Sequence, residues 1–440
     1  MLLFLLLLDM FLVSSNGFEF TMRRKSDTNA RSKKKKIKLL VLPVLLFFFV
    51  LLCCCPSSAM KCDPSQEQNG KEVVSDFRTV RYDDLLSDSL DEFSDPGTKH
   101  YTELLFDSPR HQIIVGARDS LYRLSLEGLQ KLEKADWLAK EDNIGLCTAK
   151  GQSEAHCRNY IKVLVSHRDR IFTCGTHAFS PKCSWREIEG INRVSKWVDG
   201  RGKCPYSPMA NNSAYMTQSG EYYIAGATDF SSNDPAIYRM SGSKFEGALR
   251  TNQYNTLWLN APDFVGSFET EKFMYFVFRE PAIEYTNCGK AIYSRIARVC
   301  KDDQGGTLVQ KDNWTTFLKA RLNCSIPGDY PFYYNEIQSM FYLEKEGVIY
   351  ATFSTGENSV AASAVCSFKI SAVEEAFRGP FRKQKDPDSL WKTTSADHSH
   401  FQCGPDVSRK SHLIVNSREY QFLSEAVQPA TPEPLFKVSI

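Results

Sequence analysis

The sequence predicts an all-β fold, a β-propeller, on three observations. Short apolar runs separated by turn residues fill the chain from Val73 onward, with few long helical periods. One unit, a strand, a small-residue turn and a second strand, recurs five times. Glycines at 116, 175 and 226 stand in the first three of these units, 59 and 51 residues apart. Repetition near that spacing suits four-stranded blades arranged radially, which hide their edges. A β-sandwich is the alternative, and the five-fold recurrence favours the propeller.

The elements follow in chain order. HQIIVGARDSLYRLSL (111–126) reads as a hairpin with its turn near Gly116 to Asp119. Residues 136–160 read as a polar loop between strands, and the ten-residue gap between Cys147 and Cys157 suits a local disulfide. RIFTCGTHAF (170–179) opens the second unit, with Cys174 and Cys183 equally close. WVDGRGKCPYSP (197–208) is rich in turn formers. EYYIAGATDF and AIYRM (221–240) form the third unit, joined by a Ser/Asn/Asp/Pro turn within DFSSNDPAIYR (229–239). FMYFVFRE with AIYSRIARVC (273–300) and VIYATFST with SAVCSFKI (348–370) are the fourth and fifth. Between them, NWTTFLKARLNCS (313–325) places Trp314, Phe317 and Leu318 at i, i+3, i+4, with Leu322 beyond. That spacing predicts one apolar face of a short helix, ended by Pro327-Gly328. Residues 371–390 read as a short helix and a charged loop, and 416–436 as a short helix and a Pro-rich linker.

Composition bounds the function. A chain of 440 residues with 42% apolar and 12% aromatic content is globular rather than disordered. Its net charge of +2 hides an asymmetry: residues 1–59 hold nine Lys/Arg against three Asp/Glu, so the remainder is about −4. A mildly acidic body argues against a nucleic-acid partner. Residues 1–59 read as a targeting segment: the basic run KKKKIK, the apolar run LLVLPVLLFFFVLLCCC (39–55) and the small residues PSSA, with cleavage after Ala59. The apolar core contains Pro43 and is short for a membrane span; an uncleaved signal anchor is the alternative. Met22, just ahead of the basic run, is the expected true start. Residues 60–72 are then a short mature N-terminal segment and 73–440 one propeller domain.

Cysteine usage agrees with export. Of 14 Cys, Cys53, Cys54 and Cys55 lie in the targeting segment. The rest, with Asn-X-Ser/Thr glycan acceptors at Asn211, Asn313 and Asn323, point to an oxidising compartment. No CxxC pair outside the targeting segment supports zinc. HSHFQC (398–403) is the one His/Cys cluster and a poor metal candidate. The chain contains no GxSxG, HExxH or GxxxxGK motif. The pairs Asp302-Asp303 and Glu374-Glu375 read as solvated loops. No catalytic, cofactor or metal residue is expected.

Eight strings stand in order from Cys157 to Phe368: CRNYIKVL, RIFTCGTHAFSPKC, GKCPYSP, DFSSNDPAIYR, CGKAIYSRIARVCKDDQGG, WTTFLKARLNCS, PFYYNEIQ and AASAVCSF. Together they resemble the Sema domain of the semaphorin family across most of residues 73–410. YYNEIQS and SVAASAVCSF are most similar to class 5. The resemblance implies a seven-bladed propeller, of which about five blades are present here. The Cys-rich module that follows a Sema domain, and the thrombospondin repeats and membrane span of class 5, are not recognisable, so the chain reads as C-terminally incomplete. FRTVRYDDLL (77–86) is the candidate ring-closing strand.

The family's disulfide pattern would match Cys147–Cys157, Cys174–Cys183, Cys300–Cys403 and Cys324–Cys366. Cys204 and Cys288 remain as a fifth pair, and Cys62 as the odd thiol. The resemblance further implies an extracellular guidance ligand, secreted or at the cell surface, with a parent protein that is membrane-anchored. It would bind a plexin-like receptor through one propeller face and steer axons and migrating cells as a chemorepellent in neural development. Homodimers, and proteoglycan contact through modules absent here, belong to the same picture. The alternatives are a secreted propeller enzyme acting on glycans and a non-signalling decoy. No receptor-contact residue is assigned; Arg298 and Arg321 are expected in buried ion pairs.

Overall fold

A computed structural model of the protein describes residues 91–241, 246–306, 312–386, 389–394, 403, 423–428, 430 and 434–439. Twenty strands build five four-stranded antiparallel blades. Blade 1 is β1 (Tyr101–Asp107), β2 (Gln112–Ala117), β3 (Ser120–Ser125) and β4 (Lys131–Asp136). Blade 2 is β5 (Ile161–His167), β6 (Arg170–Gly175), β7 (Lys182–Glu187) and β8 (Gly190–Asp199). Blade 3 is β9 (Ser213–Met216), β10 (Tyr222–Ala227), β11 (Pro235–Ser241) and β12 (Glu246–Arg250). Blade 4 is β13 (Asp263–Glu269), β14 (Phe273–Pro281), β15 (Ile292–Cys300) and β16 (Leu318–Leu322). A small hairpin, β17 (Ser325–Ile326) and β18 (Phe332–Tyr333), leads into blade 5. Blade 5 is β19 (Glu336–Leu343), β20 (Val348–Ser354), β21 (Ala362–Lys369) and, after a long insertion, β25 (Phe436–Ser439). The insertion supplies β22 (Phe381–Lys383), β23 (Lys392–Thr394) and β24 (Leu423–Val427). Of these, β24 lies parallel to β16 and extends blade 4 outward.

The first strand of each blade is innermost, and these five strands pack side by side in sequence order. Successive blades share separate cores. Ile114, Leu121 and Ala135 meet Ile161, Ile171 and Ile191 between blades 1 and 2. Tyr275, Ile296 and Leu318 meet Ile337, Ile349 and Phe353 between blades 4 and 5. Each large side chain buried this way contributes about 1.5–3 kcal/mol.

The recurring glycines have a steric cause. A Cβ on Gly175 would lie 2.0 Å from Asn159 Oδ1, and one on Gly226 would lie 2.9 Å from the Asn212 Cβ. Gly226 also holds φ +151°, a conformation that a side chain disfavours. Both glycines lie in the last two residues of a blade's second strand, where the chain entering the innermost strand passes close by.

Several expectations are corrected. The stretch from Asn313 contains no helix: Leu318–Leu322 is β16, paired with β15 on one side and β24 on the other. Leu318, Ala320 and Leu322 enter the core while Lys319 and Arg321 point to the other side, a period of two rather than 3.6. The loop 136–160 holds a helix, α1 (Glu141–Ala149), with Glu141 and Asp142 in its first turn, where acids favour the helix dipole. Helix α2 (Ile370–Ala376) lies where the short helix after blade 5's third strand was expected. In 416–436, by contrast, residues 423–427 form β24, because unpaired edges of β16 and β22 are available on both sides. The targeting segment, Cys62, the closing strand 77–86, His398 and His400 lie outside the described residues.

Candidate protein-interaction face

Hydrogen bonds join the starts of successive innermost strands. Thr102 Oγ1 donates to the Ile161 carbonyl (2.6 Å) and Asn212 Nδ2 to the Lys162 carbonyl (2.8 Å). Asn211 Nδ2, just ahead of β9, donates to Asp263 at the start of β13 (2.5 Å), and Arg279, paired with Asp263 at the same end of blade 4, donates through Nη1 to the Ile337 carbonyl of β19 (2.8 Å). The strand starts therefore lie at one end of the blades. That end carries the connections between blades and the turns between each blade's second and third strands. We call it the entry end.

Most of the exposed large apolar side chains belong to entry-end connections. Leu138, Leu146, Met209, Phe230, Tyr254, Leu257, Tyr285, Tyr330, Phe332, Tyr333 and Val360 all lie there. Clustered exposed apolar surface marks an interaction site, whereas scattered single residues do not.

Two groups of entry-end loops are held firmly. In blades 1 to 3 the hub is the fully buried Asn159. Its amide nitrogen donates to the Trp137 carbonyl (2.7 Å), its side-chain oxygen accepts from the His177 N–H (3.0 Å), and its own N–H donates to Asp119 (2.9 Å). His177, Ala178 and Phe179 all take positive φ, and Asn143 Nδ2 lies 2.9 Å from His177 Nδ1. Burial, with Lys182 and Lys140 nearby, pushes the His177 imidazole below its ordinary pKa.

This frame presents Phe230. Its ring is met edge-on by Phe179 at 6.0 Å and Tyr206 at 5.9 Å, and Lys150 Nζ lies 4.9 Å from its centre. Asp229 fixes the turn beneath it by accepting from the Ser231 hydroxyl and from the N–H groups of Asn233 and Asp234. Phe230 remains 44% exposed although four loops converge on it.

The second group surrounds Glu280. Glu280 and Arg295 are fully buried, with Arg295 Nε 3.1 Å from Glu280 and its two terminal nitrogens each 2.6 Å from Glu284. Lys319 Nζ also reaches Glu280, and Glu280 accepts from the Asn260 N–H (2.9 Å). Burial alone would raise the Glu284 carboxyl, but the bidentate Arg295 holds it below the usual carboxylate range. Arg321 lies over Tyr293 (3.7 Å) and Tyr333 (5.1 Å), supporting the β17–β18 hairpin. Tyr330, at its tip, is 96% exposed. Arg298 is buried over the rings of Phe273 (4.2 Å) and Phe377 (4.6 Å). The residue of SRIARVC that enters the buried carboxylate network is Arg295, three strand positions before the expected Arg298.

The cysteines are placed as follows. Cys147–Cys157 ties α1 to the segment that leads into β5, and Cys174–Cys183 crosses directly opposed positions of β6 and β7. Cys324–Cys366 anchors the β17–β18 hairpin to blade 5, and Cys300–Cys403 spans 103 residues to hold the insertion on blade 4. Cys204 is a free, fully buried thiol packed with Phe172, Met216 and Tyr222, so the expected pair with Cys288 is corrected. Cys288 ends a 3-10 turn after β14, in a different blade connection. Burial pushes the Cys204 thiol up. Cys300, Asp302 and Cys403 approach one another, but both sulfurs are in a disulfide and cannot ligate a metal.

Of the glycan acceptors, the Asn211 amide is held by Asp263 (2.5 Å) and the Asn323 amide by Gln428 (2.8 Å). Asn313 pairs its backbone with Arg250 and makes no side-chain hydrogen bond among the described residues.

Comparison with known proteins agrees with this geometry. A Sema-domain family model matches residues 337–439. A semaphorin 5c of Drosophila melanogaster is 49% identical over 367 residues, covering 83% of this chain and 33% of that protein. A solved Drosophila semaphorin 1a, extracellular domains 1–2, is 36% identical with a TM-score of 0.65, covering 78% of this chain and 68% of that one. The chain belongs to the semaphorin family. It spans about a third of the length of the curated semaphorin 5 proteins it matches. A chain in the solved complex of Drosophila plexin A with semaphorin 1b is also similar, at 36% identity and TM-score 0.66, covering 77% of this chain and 66% of that one. The five blades described here are thus blades of a Sema propeller. Among the described residues, no helix of this semaphorin is long and apolar enough to cross a membrane.

Proposed function

We propose that this chain is the receptor-binding propeller of an extracellular semaphorin-type guidance ligand, and that its entry end docks a plexin-type receptor. The reading rests on Phe230, an aromatic side chain 44% exposed on a frame of four interlocked loops. Exposed aromatics on rigid supports are the usual energetic centres of protein interfaces. That a semaphorin 1b is solved with plexin A supports the class of partner. The four disulfides suit an oxidising, extracellular setting, with residues 1–59 as the export segment, 60–72 a short mature N-terminus and 73–440 the propeller domain. The ligand steers axons and migrating cells by repulsion. It is not an enzyme.

Titration of the secreted protein on immobilised plexin ectodomains, beside a growth-cone collapse assay, tests this. Phe230→Arg is expected to weaken binding by tenfold or more, about the effect of losing an interface anchor. Unchanged binding by a folded Phe230→Arg protein refutes the assignment. The β17–β18 tip is the proposed self-association surface. Tyr330→Asp should shift a dimer to monomer in light scattering without changing plexin affinity per protomer.

A further inference from the structure

An aromatic and cationic cleft lies on the outer rim between blades 1 and 2. β7 directs Lys182 and Arg186 to one side of blade 2, with Ser184 between them, and Trp197 of β8 pairs across from Ser184. Trp197 is 46% exposed, and its ring meets Trp137 edge-on at 5.4 Å. Lys182 Nζ lies 4.2 Å from the Trp197 ring centre, and the Arg186 guanidinium lies 5.7 Å from it and 4.9 Å from Trp137. Arg186 is 3% exposed. It donates to the Ser184 hydroxyl (2.9 Å) and the Ile191 carbonyl (2.7 Å), and among the described residues it has no carboxylate within 4.0 Å. Lys182 and Lys140 likewise have no ion pair among the described residues. Lys140 leads from Trp137 into α1, and burial, with Lys140 nearby, disfavours the charged form of Lys182. Nearby acids are engaged elsewhere: Asp199 by Arg201, Asp136 by Lys134, Glu133 by Arg123 and Asn192. Glu141 and Asp142, in the first turn of α1, are the only acids in the connection that follows Trp137 up to Cys147.

A buried guanidinium without a carboxylate in contact is costly, because its charge is desolvated with only the two indole rings and the more distant Glu133 to offset it. Two further unpaired cations beside it raise that cost, and an anion entering the cleft relieves it. The exposed indole adds a flat apolar platform beside the cations. Sugar rings offer an apolar C–H face for such a platform, and sulfates accept hydrogen bonds from Lys and Arg. Nucleic acid would need a longer basic track on a less acidic body. A membrane surface would need a cluster of four to eight cations.

We propose that the Trp197 cleft is a binding site for a sulfated polysaccharide, with a sugar ring on Trp197 and sulfates on Lys182, Lys140 and Arg186. The site lies on the propeller itself, is distinct from the Phe230 frame, and does not depend on plexin binding.

The test uses the full secreted chain on immobilised heparin at about 0.15 M salt, with N- and O-desulfated heparin, chondroitin sulfate and poly-aspartate as competitors. The double variant Lys140→Ala/Lys182→Ala should weaken binding about 25-fold, roughly fivefold per lysine, with a shallower salt dependence. Trp197→Ala should weaken binding without changing the salt dependence, and Trp197→Tyr should restore part of the loss. The control Lys290→Ala/Lys345→Ala removes the same charge elsewhere and should bind like wild type. Competition by heparin or chondroitin sulfate tells which sulfated chain is preferred, and either supports the site. Melting curves show whether each variant is folded, and the lysine variant decides the matter where Trp197→Ala is not. The proposal is overturned if the lysine variant binds like wild type, if the control loses as much, or if desulfated heparin competes equally. Equal competition by poly-aspartate would assign the cleft to acidic peptides instead.

Discussion

The two ends of the blades carry different chemistry. At the entry end, long connections leave aromatic side chains in solvent and hold them from beneath with buried polar hubs, Asn159 and Glu280. At the opposite end short turns join the strands of blades 1 and 2, and the surface is held by ion pairs. There Arg110 reaches Asp107, Asp169 and Glu189 across those blades, and Lys301 pairs with Glu269. A cavity of about 640 Å³ opens beside that second pair, lined by Tyr215, Glu269, Met340, Tyr342 and Glu344. Short turns have no length to spare for an exposed aromatic, whereas long loops on a rigid scaffold do. The entry end therefore combines most of the exposed aromatics with buried support, whereas solvated charge holds the opposite end of blades 1 and 2.

The sharpest way to break that contrast is to remove a buried hub. Glu280→Ala leaves Lys319 without its carboxylate, deprives Arg295 of one of two, and orphans the Asn260 N–H. Breaking a buried ion network in this way costs about 3–5 kcal/mol. Thermal unfolding should show a large fall in melting temperature. A melting temperature within error of wild type would mean that the network contributes little to the fold. Next in size is the exposed anchor: Phe230→Arg should cost receptor affinity while leaving the melting curve nearly unchanged, since the ring is already half in solvent. A variant that loses stability as well as binding would make Phe230 part of the frame rather than the contact.

The same contrast explains what the sequence made legible. The second and third strands of the blades were visible as apolar runs because both their sides are covered: Gln112–Ala117 and Phe273–Phe278 are buried throughout. The innermost strands were not. β9 is four residues long, and β1, β5, β13 and β19 each carry a register shift near their start. A bulge breaks the alternation by which a strand is recognised. Outer strands were hidden for another reason: β8 is exposed over most of its length and has no apolar period to read. At Leu318–Leu322 both periods were present, and Trp314 and Phe317 upstream tipped the reading to a helix. The alternation of Leu318, Ala320 and Leu322 against Lys319 and Arg321 held the answer. Asn159 and Arg295 gave no local signal, because their importance arises from partners 11 or more positions away.

A smaller effect lies in the innermost strand of blade 1. Burial, opposed in part by Lys162, raises the Glu103 carboxyl to about 8 from an ordinary value of 4.5. Below the ordinary value, folded and unfolded chains both hold the proton. Between about 4.5 and 8 the fold keeps a proton that the unfolded chain has released, so rising pH drains stability, and above 8 the penalty is constant. Glu103→Gln removes the ionisation. The melting temperature of the variant relative to wild type should rise as pH increases through this window and level off beyond it. A difference that is flat with pH would show that Glu103 ionises freely in the fold.

The smallest effect is expected where charge is most conspicuous. Arg110 contacts three carboxylates, yet Asp169 and Glu189 stand largely in water, and high dielectric and mobile salt weaken each contact. Asp107, the one buried acid of the three, also accepts from Gln112 Nε2 at 2.8 Å and keeps that partner when Arg110 is gone. Arg110→Ala should therefore lower the melting temperature far less than Glu280→Ala does, and the shift should shrink further at about 1 M salt, where the Debye length is near 3 Å. Plexin binding should not change, because Arg110 lies at the end of the blades away from the Phe230 frame. If Arg110→Ala instead destabilised the fold as much as Glu280→Ala, or reduced receptor affinity, the division between a supporting, recognising end and a merely solvated one would be wrong, and blades 1 and 2 would have to be regarded as clamped from the ion-pair side.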